Sequence, residues 1–209
     1  MNLLIPVRSN REAYTLKYAI RSICQHNDIK RCLLIGFKPK WYTGEHIQHP
    51  DYSSDYKEQN IRDKVVAGAQ IMDEFLFAND DHFMMAPYMG VHNKGMLSET
   101  LRNRQPNGSY THLMRSTFEM FGDVPNVDTH YPMEMNKAGV EKTVFEWPRW
   151  GIGFKTTYAY LNNIHSVYHP DNKVNDIKHA GPPYFSTSSI CQGLEKLNEM
   201  FKEKSIFEI

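Results

Sequence analysis

The sequence is poor in several features that would assign it to particular protein classes. It has only three cysteines in 209 residues, and Cys24, Cys32 and Cys191 lack the CxxC spacing of metal sites. They therefore predict free thiols in a reducing compartment rather than a disulfide framework. No apolar run approaches the roughly 20 residues of a membrane-spanning helix, and the run before Arg8 is too short for a secretion signal. We accordingly expect a cytoplasmic protein with no membrane span.

The formal net charge is zero, because the charges of 24 basic and 24 acidic side chains cancel. A chain with no overall positive field is not built for long-range capture of nucleic acid. A local basic stripe is still compatible with the sequence, and it would use Arg102, Arg104, Arg115, Lys137 and Lys142. With 41% hydrophobic and 23% charged residues the composition is that of a globular protein. No repeat or linker divides the chain, so we predict a single domain over residues 1–209.

Strand and helix patterns alternate in the first part of the chain. Buried strands are predicted at 2–7, 31–37 and 74–78, with helices at 12–25 and 60–72. The segment 38–56 is rich in Pro, Gly, Asp and Ser and is predicted as an irregular connection. This alternation predicts an α/β fold in which a mostly parallel sheet carries helices on both faces.

The second part of the chain is less regular. Helices are predicted at 97–104 and 154–164, and the tail 192–203 has apolar residues at helical spacing. Residues 165–183 form a polar stretch with several histidines.

The third predicted strand leads into Asn79, Asp80 and Asp81, in the sequence FLFANDDHF. Adjacent carboxylates repel each other unless a cation or strong hydrogen-bond donors offset their charge. Mg²⁺ and similar hard ions are commonly held by one or two carboxylates together with substrate phosphates. In parallel sheets, ligands bind beyond the carboxyl ends of the strands, where these residues are predicted to lie. The alternative is a loop in which the three side chains cap the next element.

Several segments together resemble a known family. They are YTLKYAIRSICQHN, RCLLIGFKPKWY, NIRDKVVAGAQ, FLFANDDHF and the short HYP segment at 130–132. In this order they resemble GT-A-type glycosyltransferases, and more specifically the Stealth-like group related to capsular polysaccharide phosphotransferases. The resemblance implies a GT-A-like, Rossmann-like fold. Residues 1–90 would bind the nucleotide sugar and residues 91–209 the acceptor.

The resemblance also implies a donor and a metal. The donor would be a nucleotide-diphosphate sugar, for which we expect UDP, with Mn²⁺ or Mg²⁺ bridging its diphosphate. Asn79 occupies the first position of the Asp-x-Asp motif common in such enzymes. Asp81 is then the candidate metal ligand, and Asp80 would face the sugar or ribose as a candidate catalytic residue.

Basic residues near this motif are candidates for binding the nucleotide. Arg8 ends the first strand and Lys64 lies on the helix before the motif, and both side-chain types suit phosphate. Arg62 is an alternative to Lys64, since one helical turn cannot direct both the same way. For each of these residues the alternative is a solvated surface charge.

Candidate residues for the acceptor half lie further along the chain. Asp128 and His130 are candidates for the general base, with Glu134 as an alternative, because each of these side chains can accept a proton from a hydroxyl. His179 resembles the late histidine that completes the metal site in several GT-A families. Two tryptophans and an arginine, Trp147, Trp150 and Arg149, lie close together in the sequence and would form a platform for the acceptor, or alternatively a buried aromatic corner.

The sequence therefore predicts a metal-dependent glycosyltransferase that moves a sugar from a nucleotide-diphosphate sugar to an acceptor hydroxyl. The acceptor would be a glycan, or a modified base in DNA of the phage type. A metal-dependent phosphohydrolase or sugar-phosphate transferase is the first alternative. A non-catalytic module that binds carbohydrate or nucleotide is the second. The stereochemical outcome of transfer is left open.

Overall fold

The structure is a computed structural model that describes residues 1–10, 13–52, 57–148 and 151–209. In chain order its elements are β1 (Asn2–Pro6), α1 (Leu16–His26), β2 (Arg31–Ile35), β3 (Glu45–Ile47), α2 (Lys57–Ala69), β4 (Glu74–Phe77), β5 (His82–Met84), β6 (His92–Asn93), α3 (Leu97–Arg102), α4 (Ser109–Phe121), β7 (Met133–Asn136), α5 (Lys137–Glu146), α6 (Phe154–Leu161), β8 (Val167–Tyr168), β9 (Lys173–Asp176), β10 (Tyr184–Gln192) and α7 (Leu197–Met200). Short 3-10 helices cover Ile177–His179 and Leu194–Lys196.

The central sheet has five strands in the order β3-β2-β1-β4-β7. The first four strands are parallel and β7 runs antiparallel to β4. From β1 the chain builds outward through β2 and β3, then returns to place β4 on the other side of β1. The order of the strands therefore reverses between β1 and β4, which is where ligands bind in open α/β sheets.

Helices cover both faces of this sheet because successive strand side chains point to opposite sides. On one face Leu3 and Ile5 pack with Leu16 and Ile20 of α1. On the other face Leu4 packs with helix residues that include Val65 and Ala69 of α2, Val140 of α5 and Tyr158 of α6. The predicted α/β class, with a mostly parallel sheet and helices on both faces, is confirmed, and the architecture is consistent with a GT-A-like fold.

The two halves predicted for the chain are interleaved in the fold. Strand β7 comes from the second half but completes the sheet of the first half. Conversely β5, which follows the Asn-Asp-Asp motif directly, pairs with β10 near the end of the chain. Strand β9 then lies alongside β10, so the polar stretch 165–183 contains structure and is brought next to the motif.

Three predictions of local structure need correction. The connection 38–56 contains β3, whose pairing with β2 supplies order that its turn-rich composition did not indicate. Helices α4 and α5 lie in the less regular second part of the chain, at positions where no helix was predicted. The tail forms only short helical turns, and it is anchored because Leu197 and Phe201 are buried against Phe83 and Phe185.

Gly36 is required where β2 ends beside β1. Its φ is +127°, and an added Cβ would lie 2.0 Å from the carbonyl oxygen of Val7. Because the obstacle is backbone at the edge of the central sheet, no side-chain rotation relieves it. We expect Gly36→Ala to lower the free energy of unfolding by about 3 kcal/mol or more.

Urea denaturation of Gly36→Ala and Gly181→Ala checks this expectation. A Cβ at Gly181 would meet nothing within 4 Å, so that control should stay within about 0.5 kcal/mol of the parent protein. Equal stability of the two variants would contradict the steric conflict expected between an added Cβ at Gly36 and the carbonyl oxygen of Val7.

Candidate functional site

A cavity of about 440 Å³ opens between the ends of β1 and β4. It is lined by residues at and after the end of β1, by residues that follow β4, and by one side of α2 with the segment before it. Its charged lining residues are Arg8, Asp51, Lys57, Lys64, Asp80 and Asp81. Arg8, Lys64, Asn79, Asp80 and Asp81, predicted separately from the sequence, therefore line one cavity at the point where the strand order reverses.

Lys64 fixes the shape of this cavity from helix α2. It is only 2% exposed, and its Nζ donates to the carbonyl oxygen of Val7 at 2.6 Å and to the carboxylate of Asp51. Asp51 also accepts from the backbone N–H of Ser9 at 2.7 Å. Burial would raise the pKa of Asp51, but the bonds from Lys64 and Ser9 outweigh it and hold the pKa below its ordinary value. Lys64 thus joins the end of β1 to the loop before α2.

Asp80 and Asp81 sit in the turn between β4 and β5 and carry negative charge that is incompletely offset. Burial, together with the neighbouring Asp80, raises the pKa of Asp81 to about 7. Burial also raises the pKa of Asp80, although the charges of Arg8 and Lys64 act in the opposite direction. Two partly buried carboxylates with raised pKa values form a site that favours added positive charge.

This pair suits a hard divalent cation, because carboxylate oxygens are the ligands that Mg²⁺ and Mn²⁺ prefer. Within the described ranges no group of three or more His, Cys, Asp or Glu side chains is placed to hold a metal. Asp80 and Asp81 alone would leave most of the coordination sphere to other ligands. That is the usual arrangement when substrate phosphates and water complete the sphere.

His82 is a buried ring that directly follows the carboxylate pair. It is fully buried, and its Nε2 lies 3.9 Å from Oδ1 of Asp81. Its Nδ1 accepts from the backbone N–H of Asn79 at 3.3 Å. Burial depresses the pKa of His82 well below its ordinary value. His82 is therefore a neutral side chain at pH 7, and its hydrogen bond to Asn79 stabilises the turn between β4 and β5.

A second polar cluster, centred on His130, lies beside His82. The His82 and His130 rings are 6.4 Å apart between centroids. Nδ1 of His130 lies 2.7 Å from Oδ2 of Asp171, and Nε2 lies 3.1 Å from Nζ of Lys173. The backbone N–H of His130 donates to the other oxygen of Asp171 at 3.0 Å. Asp171 therefore fixes both the backbone and the ring of His130.

Asp128 has a different environment from His130. Its carboxylate oxygens accept from the backbone N–H groups of Lys155 and Thr156 at 3.2 and 3.1 Å, at the start of α6. A carboxylate at this position satisfies N–H groups that the helix leaves unpaired. The carbonyl oxygen of Asp128 accepts from Lys94 at 2.6 Å. Asp128 thus stabilises the start of α6, and both of its carboxylate oxygens are engaged in doing so.

Lys155 is a buried cation beneath the second cluster. Its Nζ donates to the carbonyl oxygens of Thr129 and Tyr131 at 2.7 and 2.8 Å. Burial lowers the pKa of Lys155 to about 8, although Asp128 and Asp171 act in the opposite direction. The ammonium group holds the segment that carries His130, and it does not reach the cavity.

Among the remaining predicted residues, those that the structure describes do not line the cavity. Arg62 donates to the carbonyl oxygens of Trp147 and Pro148 at 3.3 and 3.1 Å, because it lies on another side of α2 from Lys64. His179 is exposed at the end of a 3-10 helix and does not line the cavity. Trp147 packs edge-on against Phe121 and lines a small separate pocket beside Arg62. Arg149 and Trp150 lie outside the described residues.

Sequence reasoning missed several polar residues of this region. His82 follows the motif directly and could have been included on that ground. Asp171 and Lys173 carry no local signal, since they reach His130 only through the pairing of β5 with β10 and of β10 with β9.

Comparisons with known proteins give little that bears on function. No protein-family profile matches the chain, and no curated protein sequence matches it. Among solved structures, one match is the crystal structure of a glycosyltransferase involved in the glycosylation of the major capsid of PBCV-1. The two chains are 13% identical, 97% of this chain and 98% of the other are covered, and the TM-score is 0.42. At this similarity the match assigns no function.

None of the helices in the described part of the chain is both long and apolar enough to cross a membrane.

Proposed function

We propose that the protein is a metal-assisted glycosyltransferase whose donor is a nucleotide-diphosphate sugar, with UDP as the expected nucleotide. The observation that supports this most strongly is the cavity between the ends of β1 and β4. It combines the paired carboxylates of Asp80 and Asp81 with the cations Arg8, Lys57 and Lys64. A nucleoside diphosphate with a divalent cation carries complementary charges to both groups.

Different residues of the cavity would serve different parts of such a donor. Arg8 is exposed at the mouth of the cavity, and its guanidinium fork suits a phosphate. Lys64 is buried and already bonded to Val7 and Asp51, so its role is to shape the wall and to supply positive potential. Asp81 and Asp80 would hold the cation against the diphosphate.

A divalent cation bound there would offset the negative charge that develops on the departing diphosphate. The chain itself supplies the ligand carboxylates and the fixed cations, and His82 supports the turn behind them. Pro6 and Val7 at the buried end of β1 line the cavity together with the turn that follows β4. Because both belong to the central sheet or follow it directly, the site is preorganised and little rearrangement opposes binding.

For the acceptor we propose a glycan hydroxyl. The alternative, a modified base in DNA, requires a basic surface, and the chain's charges cancel overall. Competition by duplex DNA that is strong at low salt and lost as salt rises would favour the DNA acceptor, because binding to phosphates releases counterions. Absence of any competition at low salt would favour the glycan.

A thermal-shift panel tests the donor assignment. We expect UDP or a UDP-sugar with Mn²⁺ to raise the melting temperature, while nucleotide without metal has little effect. Ligand at a hundred times its dissociation constant stabilises a fold by about 2.7 kcal/mol, which corresponds to a shift of roughly 5–10 °C for a chain of this size.

The panel includes the other nucleoside diphosphates, so that the base is identified by the measurement. No shift with any nucleotide would contradict the proposed donor site. Release of inorganic phosphate or a sugar phosphate without any acceptor would instead indicate the phosphohydrolase alternative.

A further inference from the structure

His130 is held in a defined tautomer by its neighbours. The Asp171 carboxylate accepts hydrogen bonds only, so the 2.7 Å contact places a proton on Nδ1 of His130. Nε2 of the neutral ring is then an acceptor, and the ammonium group of Lys173 donates to it at 3.1 Å. A carboxylate that fixes Nδ1–H leaves Nε2 as the ring's proton-accepting atom.

The His130 side chain is partly open to solvent. The His130 side chain is 27% exposed, whereas that of Asp171 is 15% exposed. Lys173 is an exposed residue that, among the described residues, has no carboxylate within ion-pair distance. Its long, flexible side chain can therefore leave Nε2 when a hydroxyl arrives.

The position of His130 relative to the carboxylate pair fits a reacting centre. The His82 ring is close to both groups: its Nε2 lies 3.9 Å from Oδ1 of Asp81, and its centroid lies 6.4 Å from that of His130. Lys173 and Asp171 both interact electrostatically with Asp81. His130 does not itself line the cavity, so the sugar of a diphosphate held at Asp81 would have to extend toward Asp171 and Lys173 to reach it. Asp128 is not a competing base, because backbone N–H groups occupy its carboxylate.

We propose that His130 is the general base of an inverting transfer and that Asp171 is its positioning residue, an inference that rests on the proposed function. Nε2 takes the proton of the acceptor hydroxyl as that oxygen forms a bond to the anomeric carbon. The bond from the anomeric carbon to the diphosphate oxygen breaks, and its electron pair leaves with the diphosphate. Nothing is oxidised or reduced, and one displacement from the opposite face inverts the anomeric configuration.

The charged and titratable groups that face His130 keep its ring neutral and available. Burial lowers the pKa of His130, the Asp171 carboxylate raises it, and the cations Lys173 and Lys94 lower it again, with a net shift below the ordinary value. The His82 ring is a further neighbour, with its centroid 6.4 Å from that of His130.

The test compares wild type, His130→Gln, Asp171→Asn and the double variant, using the nucleotide sugar found by thermal shift. His130→Gln should lower kcat about 10²–10⁴-fold. The KM for the donor should stay within about threefold of the wild-type value, and the nucleotide-induced thermal shift should stay within about a degree or two of it. Asp171→Asn should lower kcat at least about tenfold. The double variant should be no slower than His130→Gln alone, because Asp171 acts through His130.

A matched control and two independent readouts complete the test. His165→Gln changes an exposed histidine and should leave kcat unchanged. Nitrogen-15 NMR of the histidine rings should find Nδ1–H in His130 of the wild type and a mixture of tautomers in Asp171→Asn. Proton NMR of the product should show an anomeric configuration opposite to that of the donor.

The possible failures can be told apart. Nucleotide binding with a retained configuration, or a His130→Gln variant that keeps more than about a third of wild-type kcat, would overturn the inference and leave the donor site intact. Absence of any nucleotide-induced shift in the wild type would overturn the proposed function first, and this role of His130 with it.

Discussion

Asp81→Asn is expected to abolish metal-dependent nucleotide binding while making the unliganded protein more stable at neutral pH. Loss of a carboxylate ligand removes charge that the metal and diphosphate require, so transfer should fall on the order of 10³-fold. The fold itself loses a partly buried charge that burial and Asp80 make unfavourable. The variant should therefore melt at least about 2–4 °C above wild type at pH 8 without metal.

The pH dependence of this difference follows from the raised pKa of Asp81. Because its pKa in the folded protein is about 7, against an ordinary value of 3.8, the folded state favours the protonated form. The stability that this group contributes is fully present below its unfolded pKa and is lost as pH rises through 7. The advantage of Asp81→Asn should therefore shrink between pH 8 and pH 5.

Scanning calorimetry of both proteins with and without Mn²⁺ and UDP measures these effects together. Ligand should reverse the order, making wild type the more stable protein. Asp73→Asn is a suitable control, since Asp73 is exposed at the opposite end of β4. A variant at Asp81 that is less stable than wild type without ligand at pH 8, or that retains the metal-dependent shift, would contradict this account of the pair.

Lys64→Met is expected to destabilise the fold and to damage the cavity. Methionine nearly matches the length of lysine, so the change mainly removes the ammonium group. The carbonyl oxygen of Val7 loses its 2.6 Å donor, and the Asp51 carboxylate loses its ion pair. An uncompensated charge and an unpaired carbonyl in a buried setting should cost about 3–5 kcal/mol.

The comparison for this prediction is Lys57→Met, on the same helix and the same cavity. Lys57 is exposed, so its loss should change stability by less than about 0.5 kcal/mol. Urea denaturation of the two variants separates a structural lysine from a surface lysine. Equal stability would contradict the bonds assigned to Lys64.

The part of the site that the sequence predicts depends on local patterns. Arg8 and the Asn79–Asp81 motif each follow a buried apolar strand, and parallel strands bring their carboxyl ends to one edge of the sheet. Lys64 was predicted together with its alternative, Arg62. Two positions apart on a helix, they point in nearly opposite directions, and only packing decides which faces the sheet. Gly68 sets that packing, because an added Cβ would lie 2.1 Å from Leu4.

The rest of the site depends on pairing between distant segments. Asp171 lies 41 residues from His130, and its approach requires β5, β10 and β9 to form one small sheet. The stacking of Phe83 on Phe185, with centroids 4.6 Å apart, helps to hold that sheet together. No spacing within 165–183 indicates this contact. His179 shares the segment but remains exposed, which shows that nearness in sequence to Asp171 does not bring a side chain to the site.

Anomalous diffraction from crystals grown with UDP and Mn²⁺ would test the central claim most directly. We expect a manganese peak within coordination distance, about 2 Å, of the Asp81 carboxylate, with the diphosphate beside it and the nucleoside in the cavity between the ends of β1 and β4. Manganese or nucleotide bound elsewhere on the protein, with this cavity empty, would contradict it.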